Sequence, residues 1–106
     1  MQWRMGRKSK VGGKKAAPKF PAIGERLRVT REAEGLQQNE YAERAGLAVN
    51  TYNQYEQGKT RPKIENAVKL CETYKLTLDW IYRGDPSGLR YNLAEAIKSL
   101  RQLRQH

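Results

Sequence analysis

The stretch that decides the fold is residues 38–57, which reads QNEYAERAGLAVNTYNQYEQ. Residues 38–45 have apolar side chains at the spacing of a short helix (helix 2), and Gly46 follows as a helix stop. After two connecting residues, a further short helix (helix 3) fits residues 49–57. Two short helices joined by a glycine-containing turn leave the second one projecting from the domain. A helix about 10–12 Å across fits a DNA major groove about 12 Å wide.

Helix 3 has two different faces. Tyr52 and Tyr55 share one face, and we expect them to dock the helix on the core. The outward positions are Val49, Asn50, Thr51, Asn53 and Gln54. A carboxamide donates and accepts together and so pairs with adenine, whereas the arginine or lysine that usually reads guanine is absent, which favours an A·T-leaning half-site. Alternatively, polar residues on an exposed face merely keep the helix soluble.

Helical spacing continues on both sides of this stretch. A first helix is predicted from Ile23, Leu27, Thr30 and Ala33, with Gly35 as its stop. Pro62 suits the first position of a fourth helix, where its missing N–H is harmless. The predicted inner stripe of that helix is Ile64, Ala67, Val68, Cys71 and Tyr74. A short fifth helix is predicted with Thr77 as cap, Leu78, Trp80 and Ile81 inward, and Gly84 as stop.

A turn and one more helix complete the pattern. Residues 85–88, Asp-Pro-Ser-Gly, are typical of a turn. Asn92 with Glu95 three residues later resembles a capping box and predicts a helix over residues 92–105. Its apolar stripe is Leu93, Ile97, Leu100 and Leu103. That stripe either covers the rest of the domain or pairs with a second copy. No segment alternates like a strand, so the predicted fold class is all-α.

The extended pattern resembles the phage-repressor family, the Cro-like or xenobiotic-response-element helix-turn-helix regulators. The resemblance rests on Gln38, Ala42 and Gly46 at Gln-x-x-x-Ala-x-x-x-Gly spacing, on the run from Glu56 to Lys59, on Pro62, and on Leu78-Asp79-Trp80-Ile81. It covers residues 23–84, and it implies a five-helix lambda-repressor-like DNA-binding domain, here with an extra C-terminal helix.

The resemblance also implies roles for individual residues. The implied DNA-binding set is Gln38, Val49, Asn50, Thr51, Asn53, Gln54, Gln57, Lys59 and Arg61. In the family, the glutamine matching Gln38 binds a phosphate and braces helix 3, whose outward residues face base edges. The last three residues of the set fall in a loop that follows the phosphate backbone. The arginine matching Arg31 pairs with the glutamate matching Glu56, a structural salt bridge between helix 1 and helix 3.

Two helix caps depart from the family pattern. The serine or threonine that usually caps helix 2 is Gln37, and the cap expected before helix 3 is Ala48. Alanine accepts no hydrogen bond from the first N–H groups of a helix, which costs on the order of 1 kcal/mol. Either Asn50 shifts the start of helix 3, or these N–H groups await a phosphate.

Charge is distributed unevenly along the 106 residues. Lysine and arginine number 21 against 11 acids, a net charge of +10. Residues 1–20 contain seven basic residues and no acidic residue, so the net charge of residues 21–106 is only +3. We expect a disordered basic arm over 1–20, either a solvated tail or a segment that grips phosphates. The predicted organisation is this arm, a helix-turn-helix domain over 21–84, and the turn plus C-terminal helix over 85–106.

Composition argues against several other classes of function. Cys71 is the only cysteine and His106 the only histidine, so we expect neither a disulfide framework nor a zinc site, and no cofactor. No run approaches the roughly 20 apolar residues of a membrane span. No nucleophile, base and orienting group come together in the sequence, so an enzyme is not predicted. We expect a cytoplasmic protein associated with the nucleoid.

Together these patterns predict a sequence-specific double-stranded DNA-binding transcriptional regulator. We expect a homodimeric repressor that reads an inverted repeat with helix 3 in the major groove. Two alternatives stay open. One is an antitoxin or adaptor-type module that uses the same domain to bind a protein partner. The other is a general nucleic-acid binder, driven by the basic arm.

Overall fold

The computed structural model describes residues 17–104, which form five α-helices and one short π-helix. They are α1 (Pro21–Ala33), α2 (Gln38–Arg44), α3 (Val49–Glu56), α4 (Ile64–Tyr74), the π-helix (Asp79–Arg83) and α5 (Tyr91–Arg104). No strand occurs within this range, and the predicted all-α class is confirmed. None of its helices has the length and apolar character needed to cross a membrane. The predicted arm lies outside the described residues except for residues 17–20.

The central helix is α1, which packs against α3, α5 and the π-helix. The hydroxyl of Thr30 donates to the Arg26 carbonyl at 2.6 Å and accepts the indole N–H of Trp80 at 2.9 Å. Arg26 donates from Nε and Nη2 to the Ile81 carbonyl at 3.2 and 3.1 Å, and burial lowers the pKa of its guanidinium. These bonds satisfy polar groups in the interior and fix the π-helix on α1.

A pair of stacked tyrosines sets the rotation of α4. The rings of Tyr41 and Tyr74 lie 4.0 Å apart and nearly parallel, and the Tyr74 hydroxyl donates to the Tyr41 carbonyl at 2.7 Å. Leu70 is therefore buried, whereas Ile64 and Val68 are 50% and 37% exposed. The predicted inner stripe was wrong at Ile64 and Val68, because the stacking turns that side of the helix towards solvent.

The start of α4 also differs from the prediction. Pro62 is not the first residue of the helix, because Lys63 occupies the N-cap position with an extended ψ of 148° and the helix begins at Ile64. Pro62 is instead buried before the helix, where its carbonyl accepts a hydrogen bond from the Tyr82 hydroxyl at 2.7 Å. This bond ties the α3–α4 loop to the π-helix.

The π-helix ends at the predicted stop, Gly84, but it begins at Asp79, one residue later than a cap at Thr77 predicts. The Thr77 side chain accepts the N–H of Trp80 at 2.9 Å, and Gly84 has a left-handed φ of 80°. Trp80 and Ile81 are buried as predicted, but Leu78 is exposed. The bonds from α1 to the two buried residues fix which side of the segment faces inward, and Leu78 lies on the other side.

Ion pairs hold α5 against α1. Arg101 donates to both carboxylate oxygens of Glu25, at 2.9 and 2.7 Å. Arg104 pairs with Glu32, and Arg90, just before α5, pairs with Glu34 at 2.7 Å. Of the two roles left open for the last helix, the structure therefore shows the first, packing on its own domain.

Two details of α5 correct the sequence-based expectation. Asn92 is not a cap, because the helix begins at Tyr91 and the Arg90 carbonyl accepts the N–H of Ala94 at 2.9 Å. In the predicted stripe, Leu93 and Ile97 are buried, but Leu103 is 72% exposed. The stripe is therefore an inner face only over the first turns of the helix.

Acidification is expected to loosen the contact between α5 and α1 at Glu25. Hydrogen bonds from Arg101 hold the pKa of this carboxyl below its ordinary value. Such a carboxylate stabilises the fold above its ordinary pKa of about 4.3, and this contribution is lost as the pH falls through the folded-state pKa. Glu25→Gln should therefore flatten the decrease of Tm from about pH 5 to about pH 3. Glu43→Gln, on the exposed side of α2, is the control, and equal slopes in both variants would contradict the expectation.

Candidate DNA-binding surface

The turn between α2 and α3 is a fully hydrogen-bonded helix end. The N–H of Leu47 donates to the Ala42 carbonyl at 2.9 Å, and the N–H of Gly46 donates to the Glu43 carbonyl at 3.0 Å. Gly46 has a φ of 78°, in the left-handed region that glycine adopts without strain. Leu47 is buried below the turn. The turn therefore defines how the chain leaves α2 and where α3 begins.

The inner face of α3 is docked by its two tyrosines, as predicted. Tyr52 and Tyr55 are buried. The Tyr55 hydroxyl accepts a hydrogen bond from Nδ2 of Asn66 on α4 at 2.8 Å, and Tyr52 donates to Glu56 at 2.5 Å. Because both phenols find partners inside the domain, α3 is fixed in rotation as well as in position.

The outer face of α3 carries the predicted base-reading residues. Asn50 and Gln54 are exposed, and Val49, Thr51 and Asn53 are partly exposed. The side-chain hydrogen bonds found among residues 17–104 use none of the three carboxamides. The only acid of the helix, Glu56, is buried, so this face presents no negative charge to a polyanion. The structure thus brings the five predicted residues together on one accessible surface.

Glu56 joins three elements at the base of α3. Its carboxylate is only 4% exposed and accepts Arg31 Nε at 2.7 Å and Nη2 at 3.2 Å. The Gln38 amide donates to the same carboxylate at 2.9 Å, as does the Tyr52 hydroxyl at 2.5 Å. The ion pair raises the pKa of Arg31, and desolvation together with the neighbouring carboxylate raises the pKa of Tyr52.

Gln38 is the first residue of α2, and its amide links that helix to the last residue of α3. The amide nitrogen is engaged by Glu56, so the side chain is held at the start of α2 beside α3. This placement matches the bracing role implied by the family resemblance. Its contact with a phosphate remains a prediction.

The loop between α3 and α4 carries the remaining predicted residues. Gln57, Lys59 and Arg61 are exposed, and the guanidinium of Arg61 lies over the Tyr82 ring at 5.2 Å from its centre. Lys63, at the N-cap of α4, is exposed beside them and was missed in the sequence because Pro62 was taken as the helix start. The basic residues at the alternate positions 59, 61 and 63 were the sequence signal that could have identified Lys63.

Three helix starts in this region have no side-chain cap. The N-cap residues of α2, α3 and α4 are Gln37, Ala48 and Lys63, and none makes a capping hydrogen bond. Asn50 does not shift the start of α3, which begins at Val49. Unpaired N–H groups and the helix dipole make such ends favourable for anions such as phosphate.

Comparisons with known proteins agree with this geometry. The helix-turn-helix family pattern matches residues 27–81. The cryptic phage CTXphi transcriptional repressor RstR of Vibrio cholerae is 28% identical over 81 residues, which cover 76% of this chain and 72% of that protein. The HTH-type transcriptional regulator YobD of Bacillus subtilis is 32% identical over 78 residues, 70% of each chain. No solved structure gives a significant match.

The match to the family pattern covers the whole of the described turn, both of its helices and most of the core residues. The similarity to YobD extends over more than two thirds of the chain at 32% identity. The chain therefore belongs to the phage-repressor-like family of helix-turn-helix transcriptional regulators.

Proposed function

We propose that this protein is a sequence-specific repressor of transcription that binds double-stranded DNA as a homodimer. Each subunit places α3 in a major groove, and the two-fold dimer reads an inverted repeat with half-sites about 34–36 Å apart. Binding across a promoter blocks transcription. The name of the RstR relative, a transcriptional repressor of a phage, supports repression over activation.

One observation carries the proposal, the contrast between the two faces of α3. The inner face is immobilised by Tyr52, Tyr55 and Glu56, while the outer face presents carboxamides at Asn50, Asn53 and Gln54. A rigid helix with exposed hydrogen-bonding side chains is what direct readout of base edges requires. Because these side chains are carboxamides and none is a lysine or an arginine, the half-site is expected to favour A·T pairs.

The affinity comes from a second group of contacts around α3. We expect the exposed side chains of Lys59, Arg61 and Lys63 on the α3–α4 loop, together with Gln38, to bind phosphates. Phosphate contacts set the register of the protein on the duplex but carry no sequence information. We therefore expect substitutions in the loop to weaken binding to all duplexes alike.

Selection of bound duplexes from a random pool tests the proposal. The expected product is a palindrome with two A·T-rich half-sites about one helical turn apart. Sedimentation of the protein with that duplex should show two subunits per site. A selected site without two-fold symmetry would contradict the dimer, and failure to enrich any sequence would contradict specific readout.

Asn50→Ala and Gln54→Ala are expected to remove sequence preference while leaving non-specific binding nearly intact. Each lost carboxamide contact should reduce discrimination at its base pair by about 1–3 kcal/mol. Competition binding with the selected duplex and a scrambled duplex measures the ratio. Asn39→Ala, on the exposed side of α2, is the matched control. If the footprint is unchanged in both α3 variants, α3 is not the helix that reads DNA.

A further inference from the structure

A cavity of about 440 Å³ lies between the π-helix, residues 86–89 and α5. Three of the side chains that line it, Trp80, Leu89 and Ile97, are buried members of the hydrophobic core. Pro86 and Ala94 complete the apolar part of its wall. Binding sites for small molecules typically have volumes of about 300–1,000 Å³ and mostly apolar walls with a few polar groups. The cavity therefore has the size and the walls of a site for a small apolar molecule.

The polar part of the wall comes from α5 and includes the ammonium group of Lys98. The Lys98 side chain is 65% exposed, and its Nζ lies 3.7 Å from the nearer carboxylate oxygen of Glu95. An exposed ion pair of this kind contributes little to stability. Lys98 can therefore exchange Glu95 for the carboxylate of a ligand at little cost.

Arg101 brings a second positive charge to the same wall. Its Nε and Nη2 donate to the Glu25 carboxylate, and its guanidinium carbon lies 5.3 Å from the centre of the Trp80 ring. Within residues 17–104, its Nη1 donates no hydrogen bond. Because Glu25 and Trp80 hold the guanidinium in one orientation, Nη1 can bind a further anion without first being ordered.

The charges beside this wall favour an anion. Hydrogen bonds from Arg101 and the nearby charge of Arg28 lower the pKa of Glu25. Burial, followed by repulsion from Arg101, lowers the pKa of Arg26. One carboxylate is thus shared among three guanidinium groups, and the surplus positive charge stabilises a further carboxylate more than a neutral group.

We propose that this cavity binds a small carboxylic acid with an apolar body, such as a fatty acid of medium chain length. The apolar body packs against Trp80, Leu89 and Ile97, and the carboxylate accepts hydrogen bonds from Lys98 and from Nη1 of Arg101. None of the residues proposed to contact DNA lines the cavity. The acid and DNA therefore occupy separate surfaces, and the inference does not depend on the function proposed for α3.

Titration of the full-length protein with octanoate tests the proposal, and octanol is the uncharged counterpart of equal chain length. In a Trp3→Phe background Trp80 is the only tryptophan, so its emission reports events at the cavity. Below the concentration at which octanoate forms micelles, we expect a saturable change in emission. Octanol should bind about tenfold more weakly, because it lacks the hydrogen bonds between charged groups. Octanoate should also raise Tm, since a ligand that binds only the folded state stabilises it.

Two substitutions on α5 locate the effect. Lys98→Met should weaken octanoate binding about tenfold and leave octanol binding unchanged, and Lys69→Met, which removes an exposed base on α4, is its control. Ala94→Phe places a ring in the cavity and should abolish binding of both molecules. Ala96→Phe, the same exchange at a position of α5 that does not line the cavity, is its control. All four variants should keep the sequence preference of the unmodified protein for DNA.

Several outcomes would overturn the inference. One is that octanoate changes neither the emission of Trp80 nor Tm, and another is that octanol binds as tightly as octanoate. Equal octanoate affinities of Lys98→Met and Lys69→Met would exclude the carboxylate contact, and this comparison decides the question even if Ala94→Phe does not fold. If octanoate has no effect but Ala94→Phe turns a dimer into a monomer in sedimentation, the cavity is an interface between two copies of the chain and not a ligand site.

Discussion

Glu56→Gln is expected to lower the free energy of unfolding by about 3–5 kcal/mol. The side chain keeps its shape, but the partly buried guanidinium of Arg31, whose side chain is 13% exposed, loses its counter-ion. The new amide group also places hydrogen-bond donors among the donors of Gln38, Tyr52 and Arg31, which now all point at carboxylate oxygens. Leaving one charge of a buried ion pair without its partner costs far more free energy than the intact pair contributes to stability. The expected loss is large for this reason.

Chemical denaturation of Glu56→Gln and of a double variant separates the cost of the unpaired charge from the net stability of the ion pair. Replacing both Arg31 and Glu56 with apolar residues of similar volume should recover most of the loss, because no charge then stays buried without a partner. Glu40→Gln is the control, since it breaks an exposed pair with Arg44 on α2 and should cost less than about 1 kcal/mol. A Glu56→Gln protein as stable as Glu40→Gln would show that the buried cluster does not hold α3.

The helix boundaries near this cluster were largely readable from the sequence, since they depend on local chemistry. Gly35, Gly46, Gly58 and Gly84 all have left-handed φ values just after the helical segments that they were predicted to end. A glycine stop acts through neighbouring carbonyl groups, so the signal lies within a few residues of the helix it ends. The first and last residues of α2 and α3 agree with the predicted bounds to within one residue.

The wrong predictions, the inner stripe of α4 and the cap of α5, concern features that depend on contacts between residues far apart in the chain. The rotation of α4 depends on the stacking of Tyr74 against Tyr41, 33 residues away. The start of α5 at Tyr91 directly follows Arg90, whose side chain binds Glu34, 56 residues away. Apolar spacing alone allowed both the true and the predicted rotation of α4. In the cluster around Glu56, the pair with Arg31 was predicted through the family resemblance, whereas the bonds from Gln38 and Tyr52 came only from the structure.

Gly24→Ala is expected to destabilise the protein although alanine is the better helix former. Gly24 lies in α1 where that helix passes over the end of α3, and an added Cβ would clash with the Glu56 carbonyl oxygen and lie 3.1 Å from the Gly58 nitrogen. Both are backbone atoms, so no side-chain rotation relieves the clash, and α1 must move away from α3. Overpacking costs typically about 1–3 kcal/mol, against a gain of about 1 kcal/mol in helix propensity. Because the contact is so short, we expect a net loss of about 2 kcal/mol, which lowers Tm by about 8–16 °C.

A pair of substitutions at Arg28, in the middle of α1, measures the propensity contribution separately. Arg28→Ala should be more stable than Arg28→Gly by about 1 kcal/mol. Alanine in place of glycine should therefore stabilise the protein at position 28 and destabilise it at position 24. Gly24→Ser, with one more atom, should be less stable than Gly24→Ala. Because the separation of α1 from α3 shifts Glu56 and the α3–α4 loop relative to the rest of the domain, the change should also weaken specific DNA binding under conditions where the variant is fully folded. A Gly24→Ala protein with raised Tm and unchanged DNA affinity would mean that α1 and α3 separate at no cost, and that their close approach does not set the position of α3.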